Sequence, residues 1–205
     1  MTRPGGGVGR GGEEERCGYP VGMAGVKKLL RWVEESSALD KAAGALAEVI
    51  PPALRRHRVT DLLRGRPLGH PAHPAVVLLP IGMFAASTVL DLLPGEGRAA
   101  RALIGLGLAS APAAIATGLA EYTTLDERQR RTAFVHLAAN AAATACYLTS
   151  FRLRGHGFGV VARAVSVVGL TAVGAGGLLG GHLSYAQGAG VGREPVEPEP
   201  AVEPL

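Results

Sequence analysis

The sequence predicts an all-α protein: a four-helix transmembrane bundle with an N-terminal amphipathic helical arm. Three observations carry that reading. The apolar residues gather in four runs near twenty residues long, the length a helix needs to cross a bilayer. The chain is 47% hydrophobic but only 4% aromatic, with a mean hydropathy of +0.22, which leaves few large rings to fill a soluble core of this size. Its 30 glycines and many alanines suit membrane helices, whose backbones approach one another across small residues.

The charge pattern agrees. The net charge is +4 and the pI about 9.4, but the arginines flank the apolar runs, where lipid headgroups lie. The partner expected is therefore the lipid bilayer and not nucleic acid. Cys17 and Cys146 make no disulfide framework or metal knuckle and read as two free thiols. The first residues hold no apolar stretch of the secretory-signal kind, so the first span is expected to act as an uncleaved insertion signal.

Residues 1–25 read as a disordered, Gly-rich tail. Gly7-x-Gly9-x-x-Gly12 matches a dinucleotide fingerprint by letters alone, without the strand before it or the helix after it that such a site needs. Met23 is an alternative start to Met1. Residues 26–67 form the arm. Val26, Leu29, Leu30 and Val33 share one helix face, and Leu39, Ala43, Leu46 and Ile50 share another after a capping box at Ser37-x-x-Asp40. Pro51-Pro52 stops that helix. A short basic piece over 54–63 follows, and with Trp32 upstream the arm reads either as lying on a membrane surface or as a solvated helical hairpin.

Residues 68–191 form the four-span domain. Span one, 74–93, opens with Pro74 in its first turn, where no hydrogen-bond donor is lost, and Pro80 inside it predicts a kink. Pro94-Gly95-Glu96-Gly97 is a tight turn. Span two covers 99–120, and Ser110, Thr117 and Glu121 share one of its faces. Span three covers 132–153. His136, Asn140, Thr144 and Tyr147 form one polar stripe on an Ala-rich helix, and the stripe should face the bundle and not lipid. Span four covers 160–183, where Gly176/Gly180 and Gly177/Gly181 make two overlapping small-residue pairs. Residues 192–205 are a Glu- and Pro-rich extended tail.

Alternating directions place the start of span one, the end of span two, the start of span three and the end of span four on one membrane face. There His70, His73, Glu121, Tyr122, His136, His182 and Tyr185 converge, with His57 on the same side. At 1.5 Å per residue His136 lies only about 6 Å inside span three, so the site is shallow. Arg55, Arg56, Arg58, Arg64, Arg66, Arg128, Arg130, Arg131 and Arg193 lie on the histidine side, against Arg98, Arg101, Arg152, Arg154 and Arg163 on the other. The positive-inside rule then puts the histidine face and both termini in the cytoplasm, with the chain in the inner (plasma) membrane.

Three functions compete for these histidines. His73, His136 and His182 are candidate ligands of haem b or a transition metal, with His70 in reserve and Glu121 and Asn140 as the groups that orient them. Two histidines on different helices suit a haem iron; three with Glu121 suit zinc or non-haem iron. Such a protein would be a membrane subunit of a redox system. Alternatively the polar lining carries protons or a small substrate. Four short spans with no evident internal repeat make a small transporter, an objection that a homodimer would relax. In the third reading the histidines only anchor the bundle to loops and headgroups, and the chain is an assembly subunit without a cofactor. Asp91 is expected to pair with Arg98 or Arg101. No nucleophile arrangement of the Ser-His-Asp kind is present, so the chain is not expected to be an enzyme by itself.

Leu68-Gly69-His70-Pro71-Ala72-His73-Pro74, followed by Leu79-Pro80-Ile81-Gly82 and Leu90-Asp91-Leu92, resembles the opening of an uncharacterised bacterial membrane-protein family, domain of unknown function 2231. Ala116-Thr117-Gly118-Leu119-Ala120-Glu121-Tyr122, the stretch from Val135 to Asn140, and Gly180-Gly181-His182-Leu183-Ser184-Tyr185 resemble its later blocks in order. The resemblance covers residues 30–191 and implies a four-helix membrane domain. Some relatives carry a Rieske iron–sulfur domain after the last span, which associates the family with electron transfer. This chain has no C-x-H paired with C-x-x-H, so it holds no Rieske cluster, and an iron–sulfur partner would be a separate protein.

Overall fold

The structure is a computed structural model that describes residues 21–51, 54 and 57–190. The glycine-rich run with Cys17, the Glu/Pro tail and the side chain of His57 lie outside the described residues. Among the described residues there are seven α-helices and no strand. They are α1 (Val21–Glu35), α2 (Asp40–Val49), α3 (His57–Leu63), α4 (His73–Leu90), α5 (Gly97–Tyr122), α6 (Glu127–Gly155) and α7 (Gly159–Gly181), with a π-helical turn at His182–Ala186. The fold is all-helical, as the apolar periodicity predicts. Helix α1 starts at Val21, inside the stretch expected to belong to the tail.

Among the described residues three helices are long and apolar enough to cross a membrane: α4, α5, and α7 with its π-helical extension. Helix α6 is longer than any of them but does not meet that measure, because charged residues occupy its ends and His136 and Asn140 interrupt its alanines. Pro74 sits in the first turn of α4, and the helix runs through Pro80 to Leu90. Asp126 starts α6 with a full capping box. Its side chain accepts from the Gln129 backbone N–H, and the Gln129 side chain accepts from the Asp126 N–H. The box expected at Ser37 and Asp40 does not form: the chain breaks into a 3-10 turn there, and Asp40 instead takes both prongs of the Arg131 guanidinium.

Helix α4 packs along α5, and α6 along α7; the two hairpins join through α5 with α6 and α4 with α7. At their centre the Phe84 and Tyr147 rings stack 4.1 Å apart and 5° from parallel, with Ile104, Ala143 and Val173 around them. The Tyr147 hydroxyl is satisfied by Thr88 Oγ1 at 2.9 Å and donates to the Phe84 carbonyl at 3.2 Å. Glycines make the room. A Cβ at Gly107 would lie 2.6 Å from the Phe84 ring, and one at Gly169 would lie 3.0 Å from that of Tyr147. Gly176 and Gly180 likewise face α6, whereas Gly177 and Gly181 face open space, so one of the two small-residue pairs is used within the chain.

At the end of the bundle opposite the histidines, Asp91 pairs with both terminal nitrogens of Arg154, and both side chains are only 5% exposed. Arg154 also donates to Ser150 and Ser166, and Arg163 approaches Asp91 at 3.8 Å. This corrects the expected pairing of Asp91 with Arg98 or Arg101. Arg101 lies instead over the Phe151 ring, 4.4 Å from its centroid. The reason is that the Arg154 side chain reaches Asp91 across the end of the bundle from 63 positions away, which local sequence does not reveal.

The arm closes the histidine end. Leu30 and Val33 of α1 are buried, while Leu29 and Trp32 point outward. Helices α1 and α2 pack on α6. Ile50 joins Tyr122, Leu125 and Ala133 in a second apolar cluster, and the Tyr122 hydroxyl donates to the Ala43 carbonyl at 2.9 Å.

Candidate functional site

The polar stripe of α6 faces its neighbours, as expected of a helix that cannot show it to lipid. His136 Nδ1 lies 2.8 Å from the Gly176 carbonyl of α7, and the ring sits where a Cβ on Gly180 would be, 2.9 Å from Cε1. A carbonyl only accepts, so Nδ1 carries the proton and Nε2 keeps a free lone pair. His73, in the first turn of α4, does the same toward α5. Its Nδ1 donates to the Ala114 carbonyl at 3.0 Å and to Thr117 Oγ1 at 3.1 Å, and its ring covers Gly118, whose Cβ would meet Cε1 at 3.0 Å. The Thr117 hydroxyl is itself spent on the Ala114 carbonyl at 2.9 Å, which leaves its oxygen to accept.

The two imidazoles meet edge to face, with centroids 6.4 Å apart and planes at 80°. Asn140, one turn above His136, donates to the His136 carbonyl at 2.8 Å and places the same amide nitrogen 3.3 Å from His136 Nε2. This nitrogen and Thr117 Oγ1 are the side-chain polar groups that touch the pair among the contacts described.

His182 does not join them. Its Nε2 pairs with Glu34 of the arm, which also receives Gln187 Nε2 at 2.8 Å and two nitrogens of Arg128. Gln187 spans on to Thr132 at 2.8 Å, and its carbonyl accepts from Gln129. Burial alone would raise the Glu34 pKa, but the hydrogen bonds from Gln187, His182 and Arg128, with the Arg128 charge, prevail and hold it at about 2. His70 is exposed in the turn before α4. Glu121 is half-buried near Arg64, with a carboxylate oxygen 3.8 Å from the Cβ position of Gly190. Arg64 itself binds the Ala120 carbonyl and Thr123.

The convergence expected on the histidine face is therefore partial. Two imidazoles meet, and no group of three His, Cys, Asp or Glu side chains placed to hold a metal ion is found among the described residues. A zinc or non-haem iron site of three histidines and Glu121 is not assembled. The Glu34 network went unread in the sequence. Its signal was an acidic residue four positions after Leu30 and next to Val33, on a stripe otherwise fit for burial.

No curated protein and no solved structure matches the chain. A family model does match, over residues 69–193, from the turn before α4 to beyond the π-helical turn. That span holds the three apolar helices, α6 and both meeting histidines, and the chain belongs to the family described as "Predicted membrane protein (DUF2231)".

Proposed function

We propose that the chain crosses the inner membrane four times, α6 being the fourth crossing, and that His73 and His136 give their Nε2 atoms to a haem iron or a single transition-metal ion. It would serve as a membrane subunit of an electron-transfer system. Residues 68–191 are then the membrane domain, 26–67 the arm, and 1–25 and 192–205 the tails. Residues 132–151 of α6 hold no Asp, Glu, Lys or Arg, and the polar groups there turn toward α7 and α4, which supports a crossing. The arginine excess on the histidine side supports a cytoplasmic site and cytoplasmic termini. A separate iron–sulfur protein docking on that side is the electron partner this reading calls for.

One observation carries the ligand assignment: both imidazoles give Nδ1–H to a backbone carbonyl. Metal-bound histidines are held in this way, because the second bond fixes the tautomer and turns Nε2 to the metal. Protein purified from membranes should show a Soret band that shifts on dithionite reduction, or carry stoichiometric metal by elemental analysis. A colourless, metal-free preparation that also fails to take up haemin or Cu²⁺ refutes the proposal.

A further inference from the structure

The two histidines have the same surroundings because the two hairpins repeat. His73 and His136 open α4 and α6, and each donates Nδ1–H to a carbonyl of the following helix and covers the glycine four residues beyond it. The register continues down the bundle. Phe84 and Tyr147 are 63 positions apart, as are Asp91 and Arg154 and the two histidines. The ring of Phe84 is seated on Gly107 and that of Tyr147 on Gly169. The buried serines Ser87 and Ser150 fall at the same separation.

The second helices keep step at one residue less, because Gly95 follows Asp91 by four positions and Gly157 follows Arg154 by three. Gly95 and Gly157 hold matching left-handed positions in those turns, at φ of 84° and 83°. On α5 the buried positions from Ala100 to Thr117 are Ala100, Ile104, Gly107, Ala111, Ala114 and Thr117, with Ala120 and Tyr122 buried beyond them where the arm packs. Those on α7 are Ala162, Ser166, Gly169, Val173, Gly176 and Leu179, matching the run from Ala100 to Thr117 one for one. Contacts between hairpins match as well. Arg101 of α5 reaches the last turns of α6, and its counterpart Arg163 of α7 reaches the end of α4.

We infer that α4–α5 and α6–α7 are two copies of one hairpin, related by a pseudo-twofold axis along the bundle that passes between His73 and His136, and that the site there takes one metal centre, with one imidazole from each copy. The rings that stack on each other, the imidazoles that meet and the ion pair are each made of a residue and its own counterpart, which is what lying on the axis requires. Both copies run in the same direction, so the axis stands along the membrane normal and keeps both histidines at one depth. The symmetry is broken beside the site at two positions: Asn140 stands where α4 has Val77, and Thr117, which accepts from His73, stands where α7 has Leu179. The ligand half of this inference rests on the proposed function; the repeat does not.

The test uses the full chain in membranes, with Cys17 and Cys146 replaced by Ser. A Cβ at Gly105 lies 3.2 Å from the far edge of the Phe151 ring, so thiols at the two positions, G105C/F151C, should be joined by a short bis-methanethiosulfonate cross-linker. The axis maps that pair onto Thr88 and Val167, and T88C/V167C should cross-link as well. If the first pair closes and the second does not, the repeat is overturned. Haemin, and separately Cu²⁺ alone, is then titrated into the purified protein. One equivalent should bind, and H73A and H136A should each abolish six-coordinate ligation to the same degree, with cross-link yield in each variant as the control for folding. Binding that survives H73A but not H136A would overturn the shared site and leave the electron-transfer proposal standing. Failure of the parent protein to bind either probe would overturn both.

Discussion

Replacing Asp91 by Ala should be among the most damaging single changes in the chain. The carboxylate and Arg154 are each 5% exposed and bonded through two oxygens and two nitrogens. Without Asp91, Arg154 keeps only Ser150 and Ser166, and Arg163 adds a like charge nearby. Removing one partner of a buried pair costs about 3–5 kcal/mol, since the remaining charge is left uncompensated. For a chain of this size that corresponds to a fall in Tm of about 6–20 °C. Cys146, partly covered on α6, provides the assay: a thiol-reactive dye in detergent reports its exposure on heating. The double variant D91L/R154L removes both charges and should recover most of the loss, because an apolar pair has no desolvation penalty to offset. A Tm shift under about 2 °C for D91A, or a double variant no better than the single, would refute the argument.

Gly176→Ala and Gly177→Ala should move in opposite directions in the same assay. At Gly176 the new methyl lies 2.8 Å from the Asn140 amide and costs about 1–3 kcal/mol of overpacking, partly offset by the roughly 1 kcal/mol that alanine adds to a helix; at Gly177 nothing lies within 4 Å and only the gain remains. The arm should loosen in acid. The Glu34 pKa is depressed in the folded protein, so its contribution is full above about 4.5 and is lost as pH falls toward about 2. Hydrogen exchange of α1 should rise across that window, and Glu34→Gln should raise it at pH 7 and flatten the dependence. Asp126→Ala removes the cap of α6 and should cost about 1 kcal/mol, read as an earlier onset of exchange in residues 127–130.

The lengths of the apolar runs and the spacing of His136, Asn140, Thr144 and Tyr147 were enough to find the helices and to turn one of them the right way. Periodicity is a property of one helix, and these features belong to one helix each. What stayed hidden belongs to pairs. Asp91 meets Arg154 across the end of the bundle, and nothing near Asp91 in sequence announces that. The repeat was hidden for a related reason. It preserves size and closeness at the contact faces, as at Gly107 and Gly169, while Ile104 against Ser166 and Asp91 against Arg154 differ in chemistry. A search for similar letters passes over positions that are alike only in what they touch. The site was half legible: His73 and His136 meet, but His182 was claimed by Glu34, an arm residue 148 positions away.

The separation of 63 residues between Asp91 and its arginine sets a condition on biogenesis. The carboxylate leaves the ribosome several seconds before its mate, at typical synthesis rates of about 5–20 residues per second. During that interval the first hairpin ends in a bare anion that cannot sink between helices, so it must wait at the membrane surface. Arrival of α6 supplies the cation and lets both ends withdraw from water together. A chain stalled after α5 would remain open at that end.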